Sequence, residues 1–313
     1  MTDERAPSRS ELWQQVQALP WYHTLDLGQG IVTPGAYDHR PYLDLYGLPD
    51  DLSGKTALDV GAASGFFSFE MERRGAQVTA IDLPAWREHD FGPRYEPDMA
   101  EDQAQRYLQE PILLARRALG SRVKKHESSV YDLSPETVGR FDLVFCGSLL
   151  LHLSDPARAL WRLQSVTRGQ AIIATVVDPA PDPEPRALFV GHGRGDVWWY
   201  PNRACLEAMV QAAGFAGWQW VSTFRLDYAN GQPGQPHGVI RAWNGAPPPE
   251  AAAEAQPSPV QGEAAATATV GPLAECRGEV QRLQALVAAY EQGRVMRLMI
   301  GLQRAWRRLR GQT

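Results

Sequence analysis

The first segment able to do chemistry is a short apolar run that ends in a loop of small residues. Residues 56–66 read TALDVGAASGF, so a strand-like stretch passes through glycine, alanine and serine into phenylalanine. Small residues let a backbone approach a ligand closely, and open α/β sheets bind ligands beyond the carboxyl ends of their strands. Asp59, just before the loop, suits a cationic amino group, directly or through water. The segment indicates a nucleotide-like ligand, with a plain strand-to-helix turn as the alternative; the expected contacts are Asp59, Gly61, Ala62 and Gly65.

Asp82 ends the next apolar run and favours the same interpretation. An acid at the end of a second strand can accept hydrogen bonds from both hydroxyls of a ribose. NAD-binding enzymes use the same acid, and an ordinary solvated strand end is a further alternative. A dinucleotide site needs the spacing G-x-G-x-x-G, whereas the spacing here is G-x-x-x-G followed by the bulky Phe66. The glycine pattern therefore favours S-adenosylmethionine over a dinucleotide.

Two further candidate segments follow predicted strands. Val130 and Tyr131 come after the third strand, where backbone N–H groups and an apolar side chain would recognise an adenine; the alternative is that Tyr131 only packs under the sheet.

His152 lies in the loop after the fourth strand. Its ordinary pKa suits proton transfer near neutral pH, so it is either a general base or a structural histidine bonded to a nearby carbonyl. His152 is the catalytic candidate.

A parallel sheet is needed to bring these segments together. Strand-like runs alternate with helix-like stretches over residues 56–213, and two strand-like runs at 218–226 and 237–243 close the pattern. Such alternation produces βαβ crossovers and a sheet covered on both faces. We predict an α/β fold, a Rossmann-like seven-stranded methyltransferase sheet with a C-terminal helical extension.

Composition divides the chain into four parts. Residues 1–50 are predicted to form a lid or substrate segment, and residues 51–245 the domain that binds S-adenosylmethionine. Residues 246–272 are rich in Ala, Pro, Glu and Thr, which is typical of a disordered linker. Residues 273–313 show apolar spacings of three and four and then an Arg-rich end, which is typical of a basic amphipathic or coiled-coil helix. Such a helix would form a homodimer, bind a partner or contact a membrane surface.

Charge and cysteine content argue against several classes of protein. The formal net charge of −5 and the pI of about 5.8 disfavour binding to nucleic acid through bulk charge. The three cysteines lie far apart without C-x-x-C spacing, so neither a disulfide framework nor a metal site is expected. No apolar run approaches the ~20 residues that span a bilayer, and the polar start lacks a signal-peptide core. We expect a cytoplasmic protein, peripheral to a membrane at most through its C-terminal helix.

Residues 21–243 resemble class I methyltransferases, in particular the group of tRNA wobble-uridine carboxymethoxy synthases and 5-methoxyuridine methyltransferase-like proteins. The matching stretches are WYH at 21–23, IVTPG at 31–35, and residues 58–75, 141–160 and 199–215. The resemblance implies, by position, cofactor contacts at Gly61, Asp82, Leu83, Pro84, Val130, Tyr131 and Cys146.

The sequence departs from that group in two places. Carboxymethyl-transferring members use a lysine and tryptophans upstream of the first strand, whereas residues 36–42 hold Arg40 and neither Lys nor Trp. The Tyr-His pair that follows the fourth strand in the group is Leu151-His152 here, with one extra residue in the loop. Both departures favour ordinary S-adenosylmethionine and weaken the inference of a tRNA substrate.

The expected function is methyl transfer from S-adenosylmethionine to an oxygen of a small molecule or glycan. The alternatives are tRNA wobble-uridine modification, a non-catalytic adapter with the same fold, and, disfavoured by the glycine spacing, an NAD-linked oxidoreductase. Two aromatic clusters are suited to stacking on a base, a ring or a sugar, and they are equally ordinary core and lid material. The candidate substrate residues are Tyr22, His23, Arg40, Trp199 and Tyr200. Residues 178–195, rich in Pro and Gly, are long enough to cover an active site.

Overall fold

A seven-stranded sheet forms the centre of the domain. The computed structural model describes residues 7–249, apart from 93–94, 96–99 and 192–195, together with residue 251. The strands of the large sheet are β1 (Thr56–Val60), β2 (Gln77–Asp82), β3 (Lys124–Glu127), β4 (Phe141–Gly147), β5 (Thr167–Val176), β8 (Gly217–Leu226) and β9 (Gln235–Trp243). Two short strands, β6 (Ala187–Phe189) and β7 (Trp199–Pro201), pair in a separate antiparallel sheet.

The strand order of the large sheet is β3-β2-β1-β4-β5-β9-β8. Strands β1 to β5 run parallel, and β9 is antiparallel to both β5 and β8. The chain moves outward from β1 to β3 and then returns to place β4 on the other side of β1. This reversal leaves a crevice beyond the carboxyl ends of β1 and β4, which is where such sheets bind ligands. The predicted seven-stranded methyltransferase sheet is confirmed.

Five α-helices cover the two faces of the sheet in the described part of the chain. They are α1 (Arg9–Ala18), α2 (Phe66–Arg73), α3 (Glu101–Leu119), α4 (Pro156–Val166) and α5 (Arg203–Ala212). Helices α4 and α5 begin at Asp155 and Asn202, whose side chains accept hydrogen bonds from backbone N–H groups of the first turn over 3.0 and 2.8 Å, as good N-caps do. Helices α1 to α3 pack on one face of the sheet, and α4 and α5 pack on the other.

The N-terminal segment contributes to the core on the α2 side of the sheet. Helix α1 buries Leu12 and Val16 completely, and Trp21, Ile31 and Tyr46 are also buried. These side chains belong to the same apolar cluster as helices α2 and α3. The segment predicted as a lid over residues 1–50 is thus, in its described part, packed on the sheet next to the loop after β1.

The predicted linker and C-terminal helix lie outside the described residues, apart from 246–249 and 251. Their roles in dimerisation, partner binding or membrane contact stay predictions. Among the helices that the structure describes, none has the length and apolar character needed to cross a bilayer.

The stretch 178–195, expected to be a loop, contains strand β6, which pairs with β7. All three residues of β6 are exposed, so the strand lacks the apolar alternation by which a buried strand is detected. The hairpin is held in place by its contacts with residues 150–154 after β4, which include the N–H of Trp198 donating to the carbonyl of Leu151 over 2.8 Å.

Candidate functional site

The loop after β1 follows a backbone path that few residue types adopt. Gly61 and Gly65 have φ angles of 78° and 89°, and Ala63 between them has φ of 46°. The N–H groups of Gly61 and Ala62 both donate to the carbonyl oxygen of Ile81, over 3.0 and 3.1 Å. The loop is therefore tied to the end of β2.

The two glycines of this loop have different surroundings. A Cβ atom at Gly65 would lie 2.7 Å from Cε2 of Phe69 and 3.0 Å from Cγ1 of Ile112, so helices α2 and α3 require glycine there. A Cβ atom at Gly61 would have a side-chain carbon of Leu149 as its nearest neighbour, at 3.5 Å, which is ordinary van der Waals contact. Gly61 is thus not required by protein packing, because an added Cβ would make only an ordinary contact with Leu149.

Asp82 connects the loop to the end of β2. Its Oδ2 accepts a hydrogen bond from the N–H of Ala63, and its Oδ1 accepts one from the N–H of Leu83, both over 2.8 Å. Burial raises the pKa of Asp82, and these two bonds oppose that rise. Each carboxylate oxygen has a further lone pair, so the side chain has capacity for the two hydroxyls of a ribose. The predicted contacts Asp82 and Leu83 therefore fit an adenosyl cofactor.

Asp59 lies in β1 with 2% of its surface exposed. Its Oδ2 accepts a hydrogen bond of 2.5 Å from the hydroxyl of Ser68 in α2. Burial raises the pKa of Asp59 to about 7, and the nearby charge of Asp82 adds to the rise. A cationic amino group close to this carboxyl would favour its ionised form. The contact with a methionine amino group stays a prediction.

The residues predicted to recognise adenine lie after β3. Val130 is buried, and Tyr131 is half-buried against the core on the α4 side. The hydroxyl of Tyr131 donates to Oδ2 of Asp90 over 2.7 Å and accepts from the N–H of Asp155 over 3.1 Å. The guanidinium of Arg158 lies 4.9 Å from the centre of the Tyr131 ring. Tyr131 is thus a packed residue in this structure, and its contact with adenine stays a prediction.

Cys146 is fully buried in β4 and belongs to the core on the α4 side. Burial raises the pKa of its thiol to about 12. A cofactor contact at this position would therefore be made by the backbone.

His152 is fixed by a backbone carbonyl. Its Nδ1 lies 2.5 Å from the oxygen of Asp196, and because a carbonyl only accepts, the proton is on Nδ1. This bond is the one expected of a structural histidine. A role for His152 as a general base stays a prediction.

Asp90 joins several segments at the edge of the site, and sequence reasoning missed it. Its Oδ2 accepts hydrogen bonds of 2.7 Å from the hydroxyl of Tyr131 and from both the N–H and the hydroxyl of Ser154. Its carbonyl oxygen accepts from the indole N–H of Trp198 over 2.6 Å. The partners are 41, 64 and 108 positions away in the chain, so no local pattern marks the residue.

The N-terminal segment contacts the loop after β1 at the end that leads into α2. The N–H of Tyr22 donates to the hydroxyl oxygen of Ser64 over 3.1 Å, and the N–H of Phe66 donates to Nδ1 of His23 over 3.3 Å. Burial holds the pKa of His23 well below its usual range, and the neighbouring His39 adds to this. A neutral His23 is consistent with its accepting role at the start of α2. Tyr22 and His23 are thus brought to the predicted cofactor loop.

The other candidate substrate residues lie elsewhere. Arg40 is exposed and forms an ion pair of 2.7 Å with Asp38. The indole N–H of Trp199 donates to the carbonyl of Ser154 over 3.2 Å, and Tyr200 packs against the small apolar cluster of the hairpin. Trp199 also lines an apolar cavity of about 250 Å³ between the hairpin and helices α4 and α5. A contact of Arg40, Trp199 and Tyr200 with substrate stays a prediction.

Comparison with known families identifies the domain. The model of a family described as a methyltransferase domain matches residues 39–219. The chain belongs to this family. The methyltransferase domain is S-adenosylmethionine-dependent, as expected from the sequence. Membership also favours the enzyme over the non-catalytic adapter.

The curated relatives cover only part of this methyltransferase. The ubiquinone biosynthesis O-methyltransferase of Azotobacter vinelandii is 32% identical over 130 residues, which are 40% of this chain and 46% of the relative. The protein of the same name from Xanthomonas oryzae pv. oryzae is 34% identical over 114 residues, which are 36% and 39% of the two chains. The chain thus spans less than half the length of these relatives. The narrower resemblance to the tRNA wobble-uridine group is not confirmed.

A solved structure supports the fold over a longer stretch. The N-terminal domain of EvdMO1, crystallised with SAH bound, has a TM-score of 0.55 and 17% sequence identity. The alignment covers 78% of this methyltransferase and 100% of that chain. At this identity the similarity concerns the fold alone.

Proposed function

We propose that this methyltransferase transfers the methyl group of S-adenosylmethionine to a hydroxyl oxygen of an uncharged, ring-containing small molecule, either a phenol or a sugar. The two relatives described above are named O-methyltransferases, and they match about 40% of the chain. This match supports oxygen as the acceptor atom.

A wall of tyrosine rings beside the loop after β1 carries the proposal. The ring of Tyr37 lies 5.2 Å from that of Tyr22 and is stacked on that of Tyr228 at 4.8 Å. Burial raises the pKa of Tyr22 to about 12 and raises that of Tyr37 as well, so both hydroxyls stay neutral at physiological pH. Flat uncharged rings with O–H groups suit stacking on, and hydrogen bonding to, a hydroxylated ring.

The charge near this wall favours a neutral acceptor over a polyanion. Proteins that bind nucleic acid place cations against phosphates. Arg40, close to the wall in sequence, is instead ion-paired with Asp38. This pairing supports a small molecule rather than tRNA as the acceptor.

The chain's own contribution to the reaction is alignment. When bound, S-adenosylmethionine supplies a methyl group on a sulfonium centre, which is intrinsically electrophilic. Asp82 would hold the ribose, and the backbone at Gly61 would lie next to the cofactor. The tyrosine wall would orient the acceptor ring. Fixing two reactants in line lowers the barrier even without a strong base.

Transfer of a tritiated methyl group tests this proposal. The full chain is incubated with S-adenosylmethionine labelled in the methyl group and with a panel of phenols, sugars, amines, carboxylic acids and tRNA. We expect label in a phenol or a sugar, and its loss in Asp82→Ala but not in the exposed control Asp51→Ala. Label confined to an amine, a carboxylic acid or tRNA would refute methylation of a small-molecule hydroxyl.

A further inference from the structure

Ser148 stands where the end of β4 meets the loop after β1. It is the first residue after β4, and its half-buried position leaves it reachable. Its N–H donates to the carbonyl of Ala174 in β5 over 2.8 Å. The next residue, Leu149, provides the side-chain atoms nearest to a Cβ placed on Gly61. Ser148 therefore lies at the point where the strand order reverses, beside the predicted cofactor loop.

The backbone of Ser148 is held in a conformation that serine rarely adopts. Its φ angle is 51°, in the left-handed region that costs a residue with a Cβ atom about 1 kcal/mol or more. Such backbone conformations cluster at functional sites. We take the conformation of Ser148 as a sign that its hydroxyl has to be held in a fixed position.

The hydroxyl of Ser148 is paired with His237 in β9. Oγ of Ser148 lies 3.0 Å from Nε2 of His237, and Nδ1 of His237 lies 2.9 Å from the carbonyl oxygen of Gln235. Because the carbonyl only accepts, the neutral ring carries its proton on Nδ1. Nε2 is then an acceptor, and Ser148 donates to it. This is the arrangement of a hydroxyl next to a positioned base.

His237 itself is shielded from solvent, with 4% of its surface exposed. Phe224 of β8 stacks on its ring at 5.9 Å, and Val176 of β5 lies opposite it in the sheet. The titratable groups that face it from the N-terminal segment are His39 and, hydrogen-bonded to His39, Tyr46. Burial lowers the pKa of His237, and the bond to the Gln235 carbonyl opposes this. The imidazole is thus neutral near pH 7, as an acceptor of a proton must be.

We propose that Ser148 and His237 form a proton relay that takes the hydroxyl proton of the methyl acceptor. This inference rests on the proposed O-methylation. An acceptor can reach the half-buried Ser148 but not the buried His237, so His237 acts through Ser148 as a positioning residue.

The relay balances in atoms and charge. The acceptor's O–H bond breaks as its new O–CH₃ bond forms and the S–CH₃ bond of the cofactor breaks. The proton passes to Oγ of Ser148 while the serine proton passes to Nε2 of His237. The positive charge lost from sulfur is therefore replaced by one on the imidazole. After the product leaves, the proton returns through Ser148 to water.

Nitrogen NMR of the histidine side chains tests the pair without any acceptor. The His237 signals are assigned by their loss in His237→Gln, and spectra are recorded with S-adenosylmethionine and with S-adenosylhomocysteine. We expect the proton on Nδ1 and a lower pKa of His237 with the cationic cofactor. A proton on Nε2 of the neutral ring, or a pKa that does not respond to the charge of the cofactor, overturns the relay.

Steady-state kinetics with the acceptor found in the labelling panel test the relay in turnover. We expect Ser148→Ala and His237→Gln each to lower kcat about 10²- to 10⁴-fold, with the KM for S-adenosylmethionine unchanged. The double variant should lose no more than either single variant, because the two residues act as a unit. The acidic limb of the kcat–pH profile should vanish in His237→Gln, and exposed His126→Gln serves as the control.

Two kinetic results would overturn the relay. One is an additive loss in the double variant, and the other is an acidic limb that survives in His237→Gln. If the wild type labels no hydroxyl compound, the proposed O-methylation fails while the NMR result still decides on the pair.

Discussion

Alanine substitutions at Gly61 and Gly65 should separate cofactor binding from folding. Both positions have positive φ angles, 78° and 89°. A methyl group at Gly65 would meet Phe69 at 2.7 Å and Ile112 at 3.0 Å, whereas one at Gly61 would meet only an ordinary contact at 3.5 Å. The same substitution therefore has a steric cost at one position that it lacks at the other.

The magnitudes follow from these distances. Placing alanine in the left-handed region costs about 1–2 kcal/mol, and forcing an extra methyl group into a packed core costs a further ~1–3 kcal/mol. We expect Gly65→Ala to lower the free energy of unfolding by roughly 2–5 kcal/mol. Gly61→Ala should lower it by only about 1–2 kcal/mol. Because the backbone at Gly61 is a proposed cofactor contact, an added methyl group there should raise the Kd for the cofactor at least about tenfold, which is ~1.4 kcal/mol.

Urea denaturation and calorimetric titration with S-adenosylhomocysteine measure the two quantities. Gly120→Ala is the matched control, because Gly120 ends α3 with φ of 61° and has no atom within 4 Å of an added Cβ. It should lose about 1–2 kcal/mol of stability and keep the wild-type Kd. Binding of the cofactor by Gly61→Ala as tight as by Gly120→Ala would refute a cofactor contact at Gly61. A Gly65→Ala variant as stable as Gly120→Ala would refute the steric role of Gly65.

Three further predictions concern single side chains. Burial raises the pKa of Asp59 from 3.8 to about 7, so the folded state holds the proton of this carboxyl more tightly than the unfolded state does. The free energy of unfolding should therefore fall as pH rises through that window. Urea denaturation at several pH values should show this fall in the wild type and not in Asp59→Asn. Asp90→Ala should lower the free energy of unfolding by about 1–3 kcal/mol, because it leaves Tyr131 and Ser154 without a hydrogen-bond acceptor. Amide hydrogen exchange should quicken in residues 196–201. Unchanged exchange would show that Asp90 does not hold the hairpin. Arg40→Ala should change the free energy of unfolding by less than about 0.5 kcal/mol, because the ion pair of Arg40 with Asp38 is exposed. A loss of affinity for the methyl acceptor in that variant would support the predicted substrate role of Arg40.

Most of the fold could be predicted because each central element carries its own pattern. Strand β4 and helix α3 carry the apolar spacing of a buried strand and of an amphipathic helix, over Phe141–Gly147 and Glu101–Leu119. Helix α1 was not predicted, since it buries only Leu12 and Val16 and is otherwise polar. Its start depends on a local capping box in which Ser8 and Glu11 exchange hydrogen bonds.

The residues of the site also differ in whether their partners lie close by or far away in the chain. Asp82 and the loop at Gly61 could be found from sequence because a strand, a small-residue turn and an acid lie close together in the chain. Ser148 and His237 lie 89 positions apart and meet only because β9 pairs with β5. A lone serine and a lone histidine carry no pattern, so only the fold reveals such a pair.

We propose that the ends of β1 and β2 hold S-adenosylmethionine, with Asp82 as the ribose acceptor. Calorimetric titration of S-adenosylmethionine into the wild type and Asp82→Ala tests it most directly. We expect the wild type to bind and the variant to bind at least about tenfold more weakly, because hydrogen bonds to a charged acceptor are worth about 1.5–3 kcal/mol each. An absence of binding to the wild type, or equal affinity in the two proteins, would contradict a ribose contact at Asp82.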